Sequence, residues 1–251
     1  MIAIVTGATS GFGKATAEKF AAAKYNVIIT GRRNELLQQV SEHIQKAYGV
    51  KVLALNFDVR DKQAVNKNFG SLPADWHEVD VLVNNAGLAL GKDYFEEADM
   101  NDWETMIDTN VKGLLYVSRA VLPYMVKRKK GHILNIGSIA GQDTYEKGNV
   151  YCATKSSVQT ISRAMRVDLL RHHIKVTAIH PGAAETEFSI VRFKGDESAA
   201  KAVYDGYQAL TAEDVADVVF YCASLPAHVC INDLTLTPTA QADAFYFHKD
   251  Q

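Results

Sequence analysis

Apolar residues in this chain fall into two alternating patterns, short unbroken runs and longer stretches with helical spacing. The unbroken runs predict seven strands, at residues 2–6, 26–30, 52–57, 79–83, 132–136, 175–179 and 233–236. The first six do not alternate with polar positions, which is typical of strands buried on both faces. Helical spacing predicts helices over 12–23, 35–48, 62–70, 102–127, 150–171 and 212–224. Such strand–helix repetition predicts an α/β fold, a doubly wound parallel sheet of about seven strands with helices on both faces.

One interval, residues 183–208, departs from this alternation. A connection of this length inside a compact domain is usually functional, so we expect it to cover a substrate as a lid. The rest of the chain shows no internal repeat, low-complexity segment or linker, and its 251 residues are 47% hydrophobic. That is enough to bury one substantial core, so the sequence predicts a single domain spanning 1–251.

Composition narrows the possible classes of function. A formal net charge of -2 gives no electrostatic reason to bind nucleic acid or an anionic membrane. Cys152, Cys222 and Cys230 form no Cys-x-x-Cys pair, which suits a reducing compartment, and the histidines lack metal-ligand spacing. The chain opens directly with an apolar strand, and no apolar run reaches membrane-spanning length. We expect a cytoplasmic protein without a signal peptide or a metal site.

The first predicted strand enters the first helix through Thr6-Gly7-Ala8-Thr9-Ser10-Gly11-Phe12-Gly13. These glycines permit a tight turn and close approach of the backbone to a pyrophosphate, and the free N–H groups of the helix favour the anion. A plain strand-to-helix turn could also be rich in glycine, but the position after the first strand favours dinucleotide binding on a Rossmann-like sheet. The predicted cofactor contacts here are Gly7, Thr9, Ser10, Gly11, Phe12 and Gly13.

The end of the second strand indicates which dinucleotide binds. NAD-binding chains usually place Asp or Glu there to bind the ribose 2′-hydroxyl, whereas this chain has Arg32 and Arg33. The two arginines could be a solvated surface pair. However, cations at the start of a helix oppose its dipole, and a bound 2′-phosphate would remove that conflict. We therefore expect NADP.

Tyr151 and Lys155 are one helical turn apart, so their side chains share a face if the segment is helical. A phenol with a pKa of about 10 accepts a proton at neutral pH only if its anion is stabilised, and a nearby ammonium lowers that pKa. Tyr151 could then act as a general acid or base on an alcohol or carbonyl. The same spacing is common on ordinary helices, so its meaning depends on the rest of the chain.

Together these motifs resemble the short-chain dehydrogenase/reductase family over essentially the whole chain. The matching elements are Thr6-Gly7-x-x-x-Gly11-x-Gly13, Asp58-Val59, Asn84-Asn85-Ala86-Gly87, Asn110, Ser138, Tyr151-x-x-x-Lys155 and Pro181-Gly182. The resemblance implies that Tyr151 moves the alcohol proton and that Ser138 holds the substrate oxygen. It also implies that Lys155 lowers the pKa of Tyr151 and binds the nicotinamide ribose. From its residues alone, Ser138 also fits a turn at the end of a strand.

Other roles are implied by the same resemblance. Asn110 would support a proton path to solvent near Lys155, although a buried asparagine bonded to helix backbone fits equally well. Asp58 and Val59 would contact the adenine, and Asp58 also fits an N-cap of the next helix. The remaining implied cofactor contacts are Asn85, Ala86 and Gly87 at the ribose and Pro181, Gly182 and Thr186 at the nicotinamide.

A closer resemblance is to the NADP-dependent 3-hydroxy acid dehydrogenases, which include serine and L-allo-threonine dehydrogenases. It is carried by residues 83–91, 102–110, 148–155, 186–195 and 225–229. Ala183-Ala184 departs from the bulkier Leu-Val expected of that group, which predicts a roomier pocket. A carboxylate favours a bidentate guanidinium, so we expect Arg192 to bind the substrate, although it could be an exposed cation. Tyr145 and Gln142 are expected to line the same pocket.

The sequence thus predicts an oxidoreductase that transfers a hydride between NADP and a small 3-hydroxy acid such as serine, L-allo-threonine or 3-hydroxypropionate. In reverse it would reduce the matching semialdehyde. Two alternatives stay open, a carbonyl reductase acting on an uncharged or lipid-linked ketone and a non-catalytic NADP-binding sensor. The resemblance also implies a homotetramer built on the helices at 102–127 and 150–171. The apolar residues 244–247 are expected to cover their own subunit or a neighbour.

Overall fold

Seven parallel strands form the centre of the molecule in the computed structural model, which describes residues 1–249. The last two residues of the predicted domain lie outside the described residues. The strands are β1 (Ile2–Val5), β2 (Asn26–Gly31), β3 (Val52–Asn56), β4 (Val79–Asn84), β5 (Gly131–Ile136), β6 (Ile174–Pro181) and β7 (Asp233–Leu236). They lie in the order β3-β2-β1-β4-β5-β6-β7, and all six neighbouring pairs are parallel. The predicted doubly wound sheet is confirmed.

Helices cover both faces of this sheet. They are α1 (Gly11–Ala22), α2 (Asn34–Tyr48), α3 (Lys62–Gly70), α4 (Met100–Ile107), α5 (Leu114–Arg128), α6 (Asn149–Leu169), α7 (Glu187–Arg192), α8 (Glu197–Ala202) and α9 (Ala212–Ser224). Adjacent residues of β2 point to opposite faces, as the pleat requires: Val27 joins the core beneath α1 and α9, and Ile28 joins the core beneath α3 and α5. Both faces are therefore apolar, which explains the unbroken apolar runs of the strands.

The long helix predicted over 102–127 is two helices joined by a π-helical turn. The turn spans Asp108–Gly113 and separates α4 from α5. A side chain at Gly113 would place its Cβ 2.8 Å from Cγ2 of Val59, so this glycine allows the turn to approach the end of β3. Single π turns often occur at functional sites. Here the turn carries Asn110.

The 183–208 segment contains α7 and α8, two short helices that the sequence pattern does not predict. Thr186 caps α7 by accepting a hydrogen bond from the Phe188 backbone. The segment then returns to α9, whose first turn is closed by a capping box between Thr211 and Asp214. No helix within residues 1–249 is long and apolar enough to cross a membrane.

The strand order reverses between β1 and β4, because the chain winds outward to β3 and then returns to the other side of β1. In open parallel sheets, ligands bind at the carboxyl ends of the strands beside such a reversal. The glycine turn after β1 and the Asn85–Gly87 loop after β4 meet at that position.

Candidate active site

A cavity of about 530 Å³ lies at this edge of the sheet, and most of the residues singled out in the sequence line it. At one end it reaches Arg32 and Arg33, and at the other Tyr145 and Arg192. The 183–208 segment contributes part of the wall. Gly13, Asn110 and Gln142 lie outside the lining, and they are considered below with their own contacts.

The glycine turn has the shape that a pyrophosphate needs. Gly7 and Gly11 adopt positive φ angles of 67° and 50°. A Cβ on Gly13 would collide with the carbonyl of Gly7 and the amide of Asn85, although Gly13 does not itself line the cavity. Ser10, the N-cap of α1, makes no side-chain cap bond among the described residues. The first N–H groups of α1 are thus open to an anion in the cavity.

Arg33 joins three segments at the end of the cavity beside the glycine turn. Its Nη2 donates to Thr9 Oγ1 at 2.9 Å and to Ser10 Oγ at 2.7 Å. Its Nη1 donates to Glu187 Oε2 at 2.9 Å, which ties the glycine turn to α7. The arginine side chain is 47% exposed, so a phosphate group can still reach it.

Asp58 sits between Arg60 and the neighbouring Arg32. Arg60 donates to the Asp58 carboxylate through Nε at 2.9 Å and Nη2 at 2.7 Å, and Arg32 Nη1 lies 3.7 Å away. Burial works to raise the pKa of Asp58, but the bonds from Arg60 and the charge of Arg32 outweigh it, so the pKa lies below its usual value. The N-cap of α3 is Asp61, so Asp58 does not fill that alternative role.

Tyr151 and Lys155 lie on α6 as predicted, and both are buried beside the cavity. Lys155 Nζ donates to the carbonyl oxygen of Ile136 at 3.0 Å and lies 5.9 Å from the centre of the Tyr151 ring. Ser138 follows β5, and its Oγ accepts from the Ala140 backbone at 3.1 Å. The strand end and the helix therefore bring together three of the four predicted catalytic side chains, and the fourth, Asn110, lies on the π turn.

The pKa of Tyr151 differs from the sequence expectation. Burial raises it, helped by Tyr145, while hydrogen bonding with Ser138 and the charge of Arg192 act to lower it. Burial also lowers the pKa of Lys155, to about 8. The net shift of the Tyr151 pKa is therefore upward and not downward as expected, because desolvation dominates for a phenol this deeply buried.

Asn110 uses its whole side chain to hold the loop after β4. Its Oδ1 accepts from the Leu88 backbone at 2.9 Å, and its Nδ2 donates to the Leu88 carbonyl at 2.8 Å and to Thr154 Oγ1 at 3.0 Å. The Asn110 side chain lies close to Lys155, because both contact Gly87. A Cβ placed on Gly87 would be 3.2 Å from Asn110 Oδ1 and 3.5 Å from Lys155 Nζ. Asn110 is therefore buried and bonded to backbone, but that backbone belongs to the loop after β4 and not to a helix, and its part in a proton path stays a prediction.

At the opposite end of the cavity, Arg192 lies over two tyrosine rings. Its guanidinium carbon is 5.5 Å from the centre of the Tyr145 ring and 5.6 Å from that of Tyr151. Nη1 donates to the Tyr145 hydroxyl at 2.9 Å. The buried Nε has no hydrogen-bond partner within residues 1–249. The Arg192 residue is half-buried, and a buried donor that stays unused is costly unless a ligand completes its bonding.

Gln142 does not share this pocket, and that expectation is corrected. It is exposed, and its side-chain amide exchanges hydrogen bonds with Thr235 Oγ1 at 3.0 and 3.1 Å. The 3₁₀ turn after Ser138 carries it toward β7 and away from the cavity. Tyr145 lies three residues further along and does line the cavity.

Several lining residues were missed by the sequence analysis. Phe188 places its ring 5.8 Å from that of Tyr151. Gln241 Oε1 accepts from the Ala183 backbone at 2.8 Å, and Phe247 stacks on Tyr207 at 5.2 Å. Lys92 reaches the cavity from the loop after β4. None of these residues belongs to a recognisable motif. Phe247 lies in the apolar run at 244–247, which was expected to cover its own subunit or a neighbour. Ala244 and Phe247 of that run line the cavity, whereas Phe245 and Tyr246 are exposed.

Within residues 1–249, no group of three or more His, Cys, Asp or Glu side chains is placed to hold a metal ion. The charged residues that line the cavity are Arg32, Arg33, Asp58, Lys92, Lys155, Glu187 and Arg192. Cations outnumber carboxylates in that set, so the cavity attracts an anionic ligand.

Comparison with known proteins agrees with this geometry. A sequence profile described as short chain dehydrogenase matches residues 1–197. The chain is 50% identical over 245 residues to the NADP-dependent 3-hydroxy acid dehydrogenase YdfG of Salmonella typhi, with 97% of each chain covered. It is 46% identical over 251 residues to sulfoacetaldehyde reductase 2 of Chromohalobacter salexigens, with 99% of each chain covered.

Solved structures show the same likeness. The closed form of serine dehydrogenase complexed with NADP+ superimposes with a TM-score of 0.93 at 48% identity, with both chains fully covered. Serine dehydrogenase from Escherichia coli gives a TM-score of 0.83 at 45% identity, over 96% of this chain and 100% of that one.

Proposed function

This chain belongs to the short-chain dehydrogenase/reductase family, and from that premise we propose that it transfers a hydride between NADP and the hydroxyl carbon of a small 3-hydroxy acid. Serine, L-allo-threonine and 3-hydroxypropionate are the leading candidates, and the reverse reaction reduces the matching semialdehyde. The observation that carries the choice of an acid is Arg192, a half-buried guanidinium above Tyr151 whose buried Nε has no partner within residues 1–249.

The residues at the adenosine end fit NADP. The turn at Gly7 and Gly11, together with the uncapped start of α1, accepts a pyrophosphate. Arg32 and Arg33 are exposed enough to bind a 2′-phosphate, and they occupy the end of β2, where an NAD-binding chain usually has Asp or Glu. The ribose and adenine contacts are assigned to Asp58, Val59, Asn85, Ala86 and Gly87. The nicotinamide contacts are assigned to Pro181, Gly182 and Thr186.

When bound, the nicotinamide supplies or accepts the hydride. In the reductive direction, Ser138 and Tyr151 hold the carbonyl oxygen, and Tyr151 donates its proton as the alcohol forms. Burial keeps the phenol protonated at neutral pH, which suits it to donate. Lys155 stabilises the phenolate that remains and orients the nicotinamide ribose. Oxidation begins from the phenolate, so its rate should rise with pH.

The substrate's anionic group is assigned to Arg192 and Tyr145. A carboxylate can accept two parallel bonds from a guanidinium, one of them from the free Nε of Arg192. An uncharged or lipid-linked ketone would leave that donor unsatisfied, so this alternative fits the site less well. A non-catalytic sensor would have no use for Ser138, Tyr151 and Lys155 arranged around one cavity.

The test is to replace Arg192 by Met, with Lys194→Met as the matched control. Lys194 lies two residues away and pairs with Asp102 at 2.8 Å. For a 3-hydroxy acid, Arg192→Met should raise KM about 30- to 100-fold through loss of a charge-assisted bidentate contact. The KM for an uncharged alcohol of the same length should not rise. Steady-state absorbance of the reduced nicotinamide measures both. Equal effects on the two substrates would argue for the uncharged-ketone reductase.

We also infer a cytoplasmic homotetramer in which residues 183–208 act as the lid of a single 1–251 domain. The three free cysteines suit a reducing compartment. On the helices that would form the subunit contacts, Leu115 is 41% and Val167 75% exposed, and Leu170 just beyond α6 is 72% exposed. Exposed apolar residues on one surface favour burial by another subunit.

A further inference from the structure

A second cation, Lys92, lines the substrate end of the cavity and reaches it from a different part of the chain than Arg192. The backbone sets this proximity. Gly91 N donates to the carbonyl oxygen of Arg192 at 3.0 Å, so the residue before Lys92 is tied to Arg192 itself. Gly91 adopts a φ of 70°, and a Cβ there would lie 2.8 Å from Asp93 Oδ2. The lysine therefore enters the cavity beside Arg192 through a turn that favours glycine.

Lys92 has no ionic partner in the described part of the chain. The charge of Glu146 acts to raise the pKa of Lys92, but the Glu146 carboxylate accepts a hydrogen bond from the Tyr94 hydroxyl at 3.1 Å. Burial lowers the pKa of Lys92, as do the charges of Arg192 and Lys147. Two neighbouring cations in one cavity repel each other, and an anion that accepts from both would relieve the repulsion.

The number and arrangement of oxygen atoms on the anion decide whether it can accept hydrogen bonds from both Arg192 and Lys92. A carboxylate offers two coplanar oxygens, which one guanidinium fork can occupy by itself. A sulfonate offers three oxygens arranged around a tetrahedral centre. Two of them can meet the donors of Arg192 while the third points to the ammonium of Lys92, which arrives from another segment.

We propose that Lys92 is a second anion-binding residue of the substrate site, and that with Arg192 it selects substrates bearing a sulfonate over matching carboxylates. The inference rests on the proposed function, because it assigns the head group of the substrate that Tyr151 would protonate. It identifies the substrate class as small aldehydes or alcohols that carry a sulfonate two bonds from the reacting carbon.

The experiment compares two aldehydes of equal chain length, sulfoacetaldehyde and 3-oxopropanoate, with NADPH as the reductant. The proteins are the parent, Lys92→Met and Lys147→Met. Lys147 is the matched control, because its charge also acts on Lys92 but it stands 4.1 Å over the Tyr94 ring and outside the cavity lining. Both substitutions remove one positive charge, so a general effect of charge on substrate attraction is common to both.

We expect the parent to have the lower KM for sulfoacetaldehyde. Lys92→Met should raise that KM about tenfold, the loss of one charge-assisted hydrogen bond, and should raise the KM for 3-oxopropanoate much less. The kcat should change little, because Lys92 is placed away from the oxygen that reacts. Lys147→Met should leave the ratio of the two KM values as it is in the parent.

The outcomes separate the two levels of the proposal. If the parent prefers 3-oxopropanoate, or Lys92→Met leaves the KM ratio unchanged, the role of Lys92 is wrong while the proposed function stands. If the parent reduces neither aldehyde, the proposed function itself fails and this inference fails with it. A fall in kcat without a change in KM would also count against Lys92 as a binding residue.

Discussion

The two ends of the cavity differ in how completely their charges are paired. At the cofactor end, Arg33 bonds to Thr9, Ser10 and Glu187, and Asp58 is held by Arg60. At the substrate end, Arg192 keeps a buried Nε without a partner in residues 1–249, and Lys92 has no ion pair there. The proposed cofactor end is thus largely paired by the protein itself, whereas the proposed substrate end has donors available for a ligand.

The two ends also differ in their origin along the chain. The turns that directly follow β1, β2, β3 and β4 supply most of the proposed cofactor end from within the first 87 residues. Later parts of the chain add the proposed nicotinamide contacts Pro181, Gly182 and Thr186, and Glu187, which pairs with Arg33. The substrate end joins the loop after β4, the turn before α6, helix α7 and the segment after β7. Strand ends occupy fixed places in a parallel sheet, so they carry a common cofactor site, while the joined segments can change to suit a substrate.

Tyr151 lies between the two ends, and its replacement should have the largest effect. Tyr151→Phe removes the proton donor but keeps the ring that packs against Phe188. We expect kcat to fall about a thousandfold, the size of a lost general acid, with little change in NADPH affinity. Single-turnover absorbance and a fluorescence titration of NADPH would measure the two quantities separately.

The pH profile provides the control for that variant. In the parent, oxidation should rise with pH, because it requires the Tyr151 phenolate and burial raises the pKa of this group. Any activity left in Tyr151→Phe should lack that rise. A loss smaller than about tenfold, or the same pH profile, would assign the proton to another group.

A change confined to the cofactor end should leave the substrate end untouched. Arg33→Ala removes a guanidinium that a 2′-phosphate would contact, so the Kd for NADPH should rise about 10- to 100-fold, as for a lost charge-assisted contact. The Kd for NADH, which lacks that phosphate, is the internal control and should move little. If the KM of the acid substrate rose as well, the two ends would not be independent.

The smallest effect is expected at Glu187, which belongs to α7 but pairs with Arg33. The pair is exposed on both sides, 47% and 52%, so its own contribution is small. Glu187→Gln frees Arg33 and removes a negative charge, so NADPH should bind about threefold more tightly at low salt, with less change at high salt. Weaker binding would mean instead that Glu187 positions Arg33, and isothermal titration would distinguish the two.

Regular elements were predicted well because their signal is local. All seven strands begin and end within two residues of the predicted positions, since a strand buried on both faces is an unbroken apolar run. The π turn at Asp108–Gly113 was not predicted, because its sequence continues the helical spacing on either side. Likewise α7 and α8 are too short to show a period.

For the site, most residues that belong to a motif line the cavity, although Gly13 and Asn110 do not, and the roles of all of them stay predictions. Arg32, Arg33, Ser138, Tyr151 and Lys155 all line the cavity, while Gln142 does not. Gln142 was expected in the substrate pocket because it lies between Ser138 and Tyr151 in the sequence. A 3₁₀ turn instead directs its side chain toward Thr235. Arg192 was proposed from the chemistry of an acid substrate, and the structure places it over Tyr151.

The sequence by itself determined the sheet, the glycine turn and the face that Tyr151 shares with Lys155, because each depends on residues close together in the chain. Only the tertiary structure decided that Lys92 stands beside Arg192, 100 positions later in the sequence, and that burial raises the pKa of Tyr151. Contacts between distant segments and the loss of solvent around a side chain arise from packing, which no local pattern of residues encodes.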